Sequence, residues 1–183
     1  METHIIVVGG VGVGKSACTL LFATGQFIEK YDPTIEEVYT KTLTINDAEI
    51  DVQILDTAPV RERHTAIKEF QMQKSHGVLG VYSITDPDTL VDLSHQLAFV
   101  TSAKKTDDYP LVIIGNKCDL ENARKIQPDE GLKLATEKGG LFLETSAKVG
   151  INVEEAFLEL LKEIDSNSLL SVEPNKNKKC CVC

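Results

Sequence analysis

The sequence predicts an α/β fold: one domain in which a mostly parallel, six-stranded sheet carries helices on both faces. Two observations support this prediction. Short apolar runs of strand length alternate along the chain with longer runs whose apolar residues recur at helical spacing, which is typical of a parallel sheet covered by helices. The first apolar run, 4–8, is also continuous, as expected of a strand that is buried on both faces.

The predicted elements follow in order along the chain. A glycine-rich turn leads from the first strand into a helix over 15–24, and two β-rich runs, 38–45 and 49–56, are joined by an Asn46-Asp47 turn. Further strands are predicted at 77–83, 111–116 and 141–144, and further helices at 66–74, 89–102, 129–138 and 153–164. Ligands of such sheets bind beyond the carboxyl ends of the strands, so we expect the functional site there.

The composition describes a domain with a sizeable core. The chain has 183 residues, a mass of 20.1 kDa, and 42% hydrophobic and 26% charged residues, which excludes general disorder and a disulfide-stapled miniprotein. No apolar run approaches the roughly 18 residues of a membrane-spanning helix, and residues 4–13 lack the basic lead of a signal peptide. We therefore expect the chain to be cytosolic before any lipid is attached.

The charge is unevenly distributed. The net charge of −9 disfavours nucleic acid as a partner, because phosphate binding needs a basic face. Residues 166–183 contain three Lys and one Glu, which is +2, and this leaves −11 for residues 1–165. We therefore predict a folded, nucleotide-binding domain over 1–165 and a flexible, lysine-containing tail over 166–183.

A phosphate-binding motif follows the first predicted strand. Residues 9–16 match G-x-x-x-x-G-K-S directly after a buried strand and at the start of a helix. In such a P-loop, small residues let backbone N–H groups converge on a phosphate chain at the helix N-terminus. We expect Lys15 to reach the β- and γ-phosphates and Ser16 to bind Mg²⁺.

Acidic residues mark the ends of two other predicted strands. Asp56 ends the third strand, where P-loop proteins hold Mg²⁺ partly through a carboxylate. Residues 116–119, Asn-Lys-Cys-Asp, stand at the end of the 111–116 strand. The Asp119 carboxylate can accept hydrogen bonds from the N1–H and N2–H₂ groups of guanine, a pattern that adenine does not offer, so this motif predicts specificity for guanine.

With these motifs, the chain resembles the Ras family of small GTPases over its whole length. Residues 31–36, Tyr-Asp-Pro-Thr-Ile-Glu, resemble the first switch of that family, and residues 144–148, Glu-Thr-Ser-Ala-Lys, resemble its last guanine-binding loop. The resemblance implies a P-loop NTPase-type fold, GTP and GDP as ligands, Mg²⁺ as cofactor, and hydrolysis of GTP to GDP and phosphate in signal transduction.

The resemblance also implies individual contacts. Phe27 would pack against the guanine, and Thr34 would bind Mg²⁺ beside Ser16 and contact the γ-phosphate, with Asp56 behind these direct metal ligands. Lys15 and Thr34 are the catalytic candidates. The predicted nucleotide-binding residues are Gly9, Val11, Gly12, Val13, Gly14, Lys15, Ser16, Ala17, Phe27, Thr34, Asn116, Lys117, Asp119, Ser146, Ala147 and Lys148.

Three positions depart from the family's pattern, and all three bear on hydrolysis. Val11 replaces a glycine that leaves room for the attacking water and for a partner's arginine finger. Pro59 replaces the glycine whose N–H holds the γ-phosphate, and proline has no N–H. Val60 replaces the glutamine that orients the water. We predict strongly impaired hydrolysis, unless one of residues 61–64, Arg-Glu-Arg-His, supplies the missing polar group.

The same departures leave the resting nucleotide open. Val11 and Val60 each favour accumulation of GTP, whereas the loss of an N–H at Pro59 weakens the contact that distinguishes GTP from GDP. One hydrogen bond to a charged group is worth about 1.5 to 3 kcal/mol. The preference for GTP is therefore expected to fall by an order of magnitude or more.

The predicted first switch presents an acidic surface formed by Asp32, Glu36 and Glu37. Such a surface suits effector proteins with a basic edge, and the strand 38–45 offers an edge for pairing. The resemblance also implies exchange factors and activating proteins as partners. We expect a monomer.

Cysteines close the tail. Cys180 begins a C-a-a-X prenylation box with atypical residues, and Cys181-Val182-Cys183 resembles the C-x-C ending that some Rab-type GTPases carry with two prenyl groups. One lipid anchors a protein only marginally, so the lysines at 176–179 would supply a second signal toward an anionic leaflet. We expect a lipoprotein at the cytoplasmic face of a membrane, with the plasma membrane preferred.

Two other classes of function stay open. A pseudo-GTPase would hold nucleotide structurally and act as a membrane-tethered interaction module, which Val11, Pro59 and Val60 favour. A P-loop kinase of small molecules would share residues 9–16 but does not predict the 116–119 motif. A single-turnover hydrolysis assay discriminates the first class from a GTPase, and competition by ATP discriminates the second.

Overall fold

The structure is a computed structural model and describes residues 2–27, 37–45, 48–57 and 66–169. Its strands are β1 (Glu2–Gly9), β2 (Glu37–Ile45), β3 (Ala48–Asp56), β4 (Gly77–Ser83), β5 (Leu111–Asn116) and β6 (Leu141–Glu144). Its α-helices are α1 (Lys15–Thr24), α2 (Ala66–Lys74), α3 (Asp88–Lys104), α4 (Pro128–Glu137) and α5 (Val153–Leu169). A short 3₁₀ helix covers Glu121–Ala123. The elements follow the predicted order, and their ends differ from the predicted ones by a few residues.

The strands form one six-stranded sheet in the order β2-β3-β1-β4-β5-β6. All neighbouring pairs are parallel except β2 and β3, which pair antiparallel from Glu37↔Asp56 to Ile45↔Ala48. This arrangement confirms the predicted mostly parallel sheet. The Asn46-Asp47 turn predicted between β2 and β3 lies outside the described residues.

Helices cover both faces of the sheet, and β1 shows why its sequence is continuously apolar. Ile5 and Val7 belong to one core cluster, which contains residues of α1 and α5. Ile6 and Val8 belong to the other, which contains residues of α2, α3 and α4. Because successive side chains of a strand point to opposite faces, a strand between two helix layers needs an apolar residue at every position. The predicted two-faced packing is confirmed.

The last helix extends further than the sequence predicts. α5 continues to Leu169, five residues beyond the predicted helix over 153–164, and so enters the segment that we predicted as a tail. The apolar stripe that suggested an end near Ile164 marks only the part of the helix that packs on the sheet. Residues 170–183 lie outside the described part of the chain. Among the helices described, none is both long enough and apolar enough to cross a membrane.

Candidate functional site

The loop between β1 and α1 is shaped by glycines that no other residue can replace without strain. Gly12 and Gly14 have φ angles of 70° and 101°, in the left-handed region that favours glycine. A Cβ atom at Gly14 would lie 2.2 Å from Nδ2 of Asn116. Only a glycine therefore lets this loop approach β5. Val11 does not adopt a left-handed conformation, and its side chain is 58% exposed.

Lys15 opens α1, and its side chain folds back over the loop. Its Nζ donates hydrogen bonds to the carbonyl oxygens of Gly9, at 3.0 Å, and Gly10, at 2.8 Å. Burial lowers the pKa of the Lys15 ammonium group, and the charge of Asp56 opposes that shift. A buried cation that rests on neutral carbonyl groups is poorly compensated. A phosphate oxygen would be a stronger acceptor for the same three N–H groups.

Asp56 ends β3 with a fully buried carboxylate. Neither of its oxygens accepts a hydrogen bond of good geometry from the described residues. Burial raises its pKa, while the nearby Ser16 hydroxyl and the charge of Lys15 lower it in part and Glu37 adds to the rise. Such a carboxylate is costly unless a cation or a donor meets it.

Ser16, with the Asp56 carboxylate behind it, fits a magnesium ion. Mg²⁺ prefers oxygen ligands and usually takes one or two protein groups together with phosphate oxygens and water. No larger cluster of His, Cys, Asp and Glu side chains is present among the described residues, and this mode of binding does not require one. The orphaned carboxylate of Asp56 is the structural observation that supports the fit.

Asn116, at the end of β5, joins three segments of the chain. Its Nδ2 donates to the carbonyl oxygen of Val13 at 2.8 Å. Its Oδ1 accepts from the backbone N–H of Ala147 at 3.2 Å and from the Thr145 hydroxyl at 3.3 Å. The side chain is buried. One amide therefore ties the P-loop to β5 and to the loop that follows β6.

The remaining polar groups at this edge are also held in place. The Ser146 hydroxyl donates to Oδ1 of Asp119 at 2.5 Å, and Nζ of Lys117 donates to the Gly12 carbonyl oxygen at 2.7 Å. Lys117 has a φ of 70°, a left-handed conformation that few residues other than glycine adopt. The backbone of Ser146 exchanges two hydrogen bonds of 3.0 Å with Ile151, which closes the loop.

The structure brings most of the predicted nucleotide-binding residues, together with Asp56 of the predicted metal site, to the edge of the sheet where the parallel strands end. These residues are Gly9, Val11, Gly12, Val13, Gly14, Lys15, Ser16, Ala17, Asp56, Asn116, Lys117, Asp119, Ser146, Ala147 and Lys148. The Val13 side chain is buried in the core, so only its backbone faces the loop. Phe27 follows α1 and is an exposed residue, and its predicted contact with a base stays a prediction.

Several predicted residues lie outside the described part of the chain, and their roles stay predictions. They are Asp32, Thr34 and Glu36 of the first switch, Pro59 and Val60, and Cys180, Cys181 and Cys183 of the tail. Glu37, the third member of the acidic surface, opens β2, and its carboxylate accepts a hydrogen bond from the Tyr39 hydroxyl.

Sequence reasoning missed two side chains that shape this edge. Thr145 orients Asn116, and its place inside the 144–148 motif was a usable signal. Gln96 of α3 accepts a hydrogen bond from the Gly9 N–H at 2.8 Å, across 87 positions of the chain. No local pattern marks Gln96, because its role depends on how α3 packs beside β1.

In this chain, a glycine-rich loop follows the inner strand β1, and the buried Lys15 opens the next helix. This arrangement defines the P-loop class of nucleotide-binding proteins. A family model described as the Ras family matches residues 4–166. Ras-like protein 1 of Saccharomyces cerevisiae is 44% identical over 161 residues, which cover 88% of this chain. The matched region covers 52% of the yeast protein, so the chain spans about half the length of that relative. The chain belongs to the Ras family, as its motifs predicted.

Proposed function

We propose that this chain is a switch that binds GTP and GDP with Mg²⁺ and hydrolyses GTP to GDP and phosphate very slowly. The observation that carries the proposal is the pair of bonds made by Asn116, which links the P-loop at Val13 to the base-recognition loop at Ala147. A phosphate chain and a base attached to the same ligand would meet these two loops at once. The family to which the chain belongs supports this reading.

The phosphate side of the proposed site offers charges that lack good partners. Lys15 rests on the Gly9 and Gly10 carbonyl oxygens, and it can exchange these for the β- and γ-phosphates without leaving the loop. Ser16 would bind Mg²⁺ with the Asp56 carboxylate behind it, and the ion would neutralise negative charge of the phosphates. The affinity for phosphate is therefore expected to come largely from Lys15, because burial disfavours its charge and its present acceptors are neutral carbonyl groups.

The base side accounts for specificity. A carboxylate offers about four lone-pair sites, and Ser146 occupies one of those on Asp119. That bond orients the carboxylate and leaves acceptors for the N1–H and N2–H₂ groups of guanine. An adenine ring would offer no matching donors and would leave the Asp119 acceptors unpaired, which sites of this type discriminate against strongly.

Slow hydrolysis follows from what the site lacks. The exposed, branched side chain of Val11 stands in the P-loop, where it would exclude the attacking water or a partner's arginine finger. The arginine finger of Ras-type GTPases contributes roughly 10³ to 10⁵ in rate. Pro59 and Val60 remove an amide donor and a water-orienting side chain by their chemistry alone. Val11 and Val60 act on the transition state, whereas the missing N–H of Pro59 also weakens the binding of GTP relative to GDP.

The wider role that we propose is recruitment of effector proteins to a membrane. Asp32, Glu36 and Glu37 would form the effector surface, and exchange factors and activating proteins would set the nucleotide state. A lipid on Cys180, Cys181 or Cys183 would hold the monomeric protein at the cytoplasmic leaflet, with the plasma membrane preferred. These proposals rest on residue types and on the family. The negative net charge argues against nucleic acid as a partner.

A single-turnover hydrolysis assay tests the proposed reaction. The full chain is loaded with GTP, and conversion to GDP is followed in the wild type and in a variant that combines Val11→Gly, Pro59→Gly and Val60→Gln. We expect the triple variant to be faster by at least roughly tenfold, since a positioned polar group typically contributes more than that. A wild type as fast as the triple variant would overturn impaired hydrolysis.

The same assay decides between the proposal and its alternative. A wild type that holds GTP at one per chain with no conversion at all would favour the pseudo-GTPase, which acts as a membrane-tethered interaction module. Val11 is the observation that favours it, because this side chain projects from the P-loop into solvent. The Val11→Gly single variant serves as the matched control, since Pro59 and Val60 are unchanged in it.

A further inference from the structure

Helix α3 reaches the start of the P-loop with polar side chains from one face. Thr89, Asp92 and Gln96 are spaced by three and four residues, so they lie on the same side of the helix. A Cβ atom at Gly10 would lie 3.3 Å from Oδ2 of Asp92 and 3.7 Å from Cγ2 of Thr89. The Gly9 N–H donates to Oε1 of Gln96 at 2.8 Å.

The Gly9 N–H is a donor at the point where β1 leaves the sheet. The pairing of β1 with β3 ends at Val7↔Asp56, whereas its pairing with β4 continues to Gly9↔Val81. Gly9 is buried, and a buried backbone N–H needs an acceptor. A side chain of α3 supplies that acceptor.

The other groups around Gly9 show why this bond matters for the loop. A Cβ at Gly9 would lie 2.1 Å from the Val81 carbonyl oxygen, so the backbone of β4 lies directly against Gly9. The Gly9 carbonyl oxygen is held by Nζ of Lys15 at 3.0 Å. If Lys15 turns to a phosphate, its contact with Gly9 is lost, and the hydrogen bond from the Gly9 N–H to Gln96 remains as a side-chain tether of Gly9.

Gln96 stands on a well-anchored element. The Thr89 hydroxyl, at the N-terminal end of α3, accepts from the Ser83 N–H at 3.0 Å and donates to the Asp86 carbonyl oxygen at 2.6 Å. These bonds fix α3 to the end of β4. A group carried by a rigid helix holds its partner more accurately than a group on a loop.

We propose that Gln96 is a positioning residue of the nucleotide site, which fixes the start of the P-loop through the Gly9 amide and thereby slows nucleotide release. The effect on release rests on the nucleotide binding proposed above. Gln96 touches no ligand itself and acts through Gly9, so α3 becomes part of the machinery that retains the nucleotide.

The test uses the full chain, labelled with ¹⁵N, and two measurements. Hydrogen exchange of the Gly9 amide is followed by NMR, and release of fluorescently labelled GDP is followed after addition of excess GDP. Gln96→Met keeps the length of the side chain and removes the acceptor, whereas Gln96→Glu keeps an acceptor oxygen. Gln73→Met makes the first change at an exposed position of α2 and serves as the control.

We expect Gln96→Met to speed exchange of the Gly9 amide and release of the labelled GDP about tenfold each, the effect of leaving a buried donor unpaired. Gln96→Glu should keep Gly9 protected, and Gln73→Met should behave as the wild type. Should Gln96→Met not fold, Gln96→Asn shortens the same side chain and gives the same two readouts.

Two results would overturn the proposal: Gly9 exchange that does not depend on the residue at 96, or lost protection of Gly9 with unchanged GDP release. A wild type that retains no guanine nucleotide, but whose Gly9 protection depends on Gln96, would instead overturn the proposed function and support the positioning of Gly9. The two failures are therefore distinguishable.

Discussion

The two halves of the candidate site differ in how their polar groups are satisfied. In the base half, formed by Asn116, Lys117, Asp119 and Ser146, the protein supplies partners itself, as in the bonds from Ser146 to Asp119 and from Lys117 to Gly12. In the phosphate half, formed by Lys15, Ser16 and Asp56, neither oxygen of Asp56 accepts a hydrogen bond of good geometry from the residues that the structure describes. The base half is therefore preorganised to select a base. In the phosphate half, burial disfavours the charges of Lys15 and Asp56, which bound phosphate and Mg²⁺ would stabilise.

The largest effect is expected when the cation of the phosphate half is removed. Lys15→Met should weaken GDP and GTP binding on the order of 10³-fold, because charge-assisted bonds to two phosphates are lost. The unfolding temperature of the nucleotide-free protein should change little, because the burial cost of the cation disappears together with its attraction to the Asp56 carboxylate. Calorimetric titration and thermal unfolding measure both quantities. Lys133→Met, at an exposed site on α4, is the control.

A change in the base half should behave differently. Asn116→Ala removes three hydrogen bonds, each worth about 1 kcal/mol. We expect binding of guanine nucleotides to weaken about 100-fold and, unlike with Lys15→Met, the nucleotide-free protein to lose stability as well. If stability were unchanged in urea unfolding, the base half would not be held by its own bonds and the contrast between the halves would fail.

Asp56→Asn tests whether the buried carboxylate of the phosphate half destabilises the ligand-free protein. In protein free of Mg²⁺ and nucleotide, the variant should unfold at a higher temperature, and the stabilisation that Mg²⁺ adds in the presence of GDP should be lost. Because the pKa of Asp56 is raised above its ordinary value of 3.8, the folded chain holds a proton that the unfolded chain releases. The stability of the ligand-free wild type therefore falls as the pH rises from 3.8 toward the raised pKa. The variant has no titratable group at this position and should lack this decrease. Unfolding of the wild type and of Asp56→Asn at several pH values across that range measures the difference.

The smallest effect concerns a group behind the base half. The Tyr82 hydroxyl is fully buried and has no hydrogen-bond partner in the described structure. Burial is also the main reason that its pKa is raised. Tyr82→Phe should leave nucleotide binding unchanged and raise the free energy of unfolding by up to about 1 kcal/mol. A loss of more than that amount in urea unfolding would show that the hydroxyl has a partner after all.

The sequence predicted the sheet and the P-loop because both depend on local patterns. A continuously apolar β1 and a glycine-rich turn before Lys15 can be recognised within a few residues. The end of α5 was predicted too early, because the apolar stripe reports where the helix packs and not where its backbone bonds stop. Exposed helix ends carry little sequence signal.

The contacts that organise the site were less accessible from sequence. The motif at 116–119 indicated what Asp119 recognises, but not that Asn116 holds Val13 across 103 positions of the chain. Gln96 gave no signal, since a glutamine in a helix is usually a solvated side chain. Such contacts follow from how separate elements pack, and only the folded chain brings their partners together.

The most direct test of the account is to purify the full chain from an expression host, denature it and identify the released nucleotide by chromatography. We predict about one guanine nucleotide per chain, because the base half selects guanine; GTP would show that impaired hydrolysis dominates, and GDP that residual hydrolysis or the weakened γ-phosphate contact at Pro59 dominates. An adenine nucleotide or an empty protein would contradict guanine binding, which is the central claim.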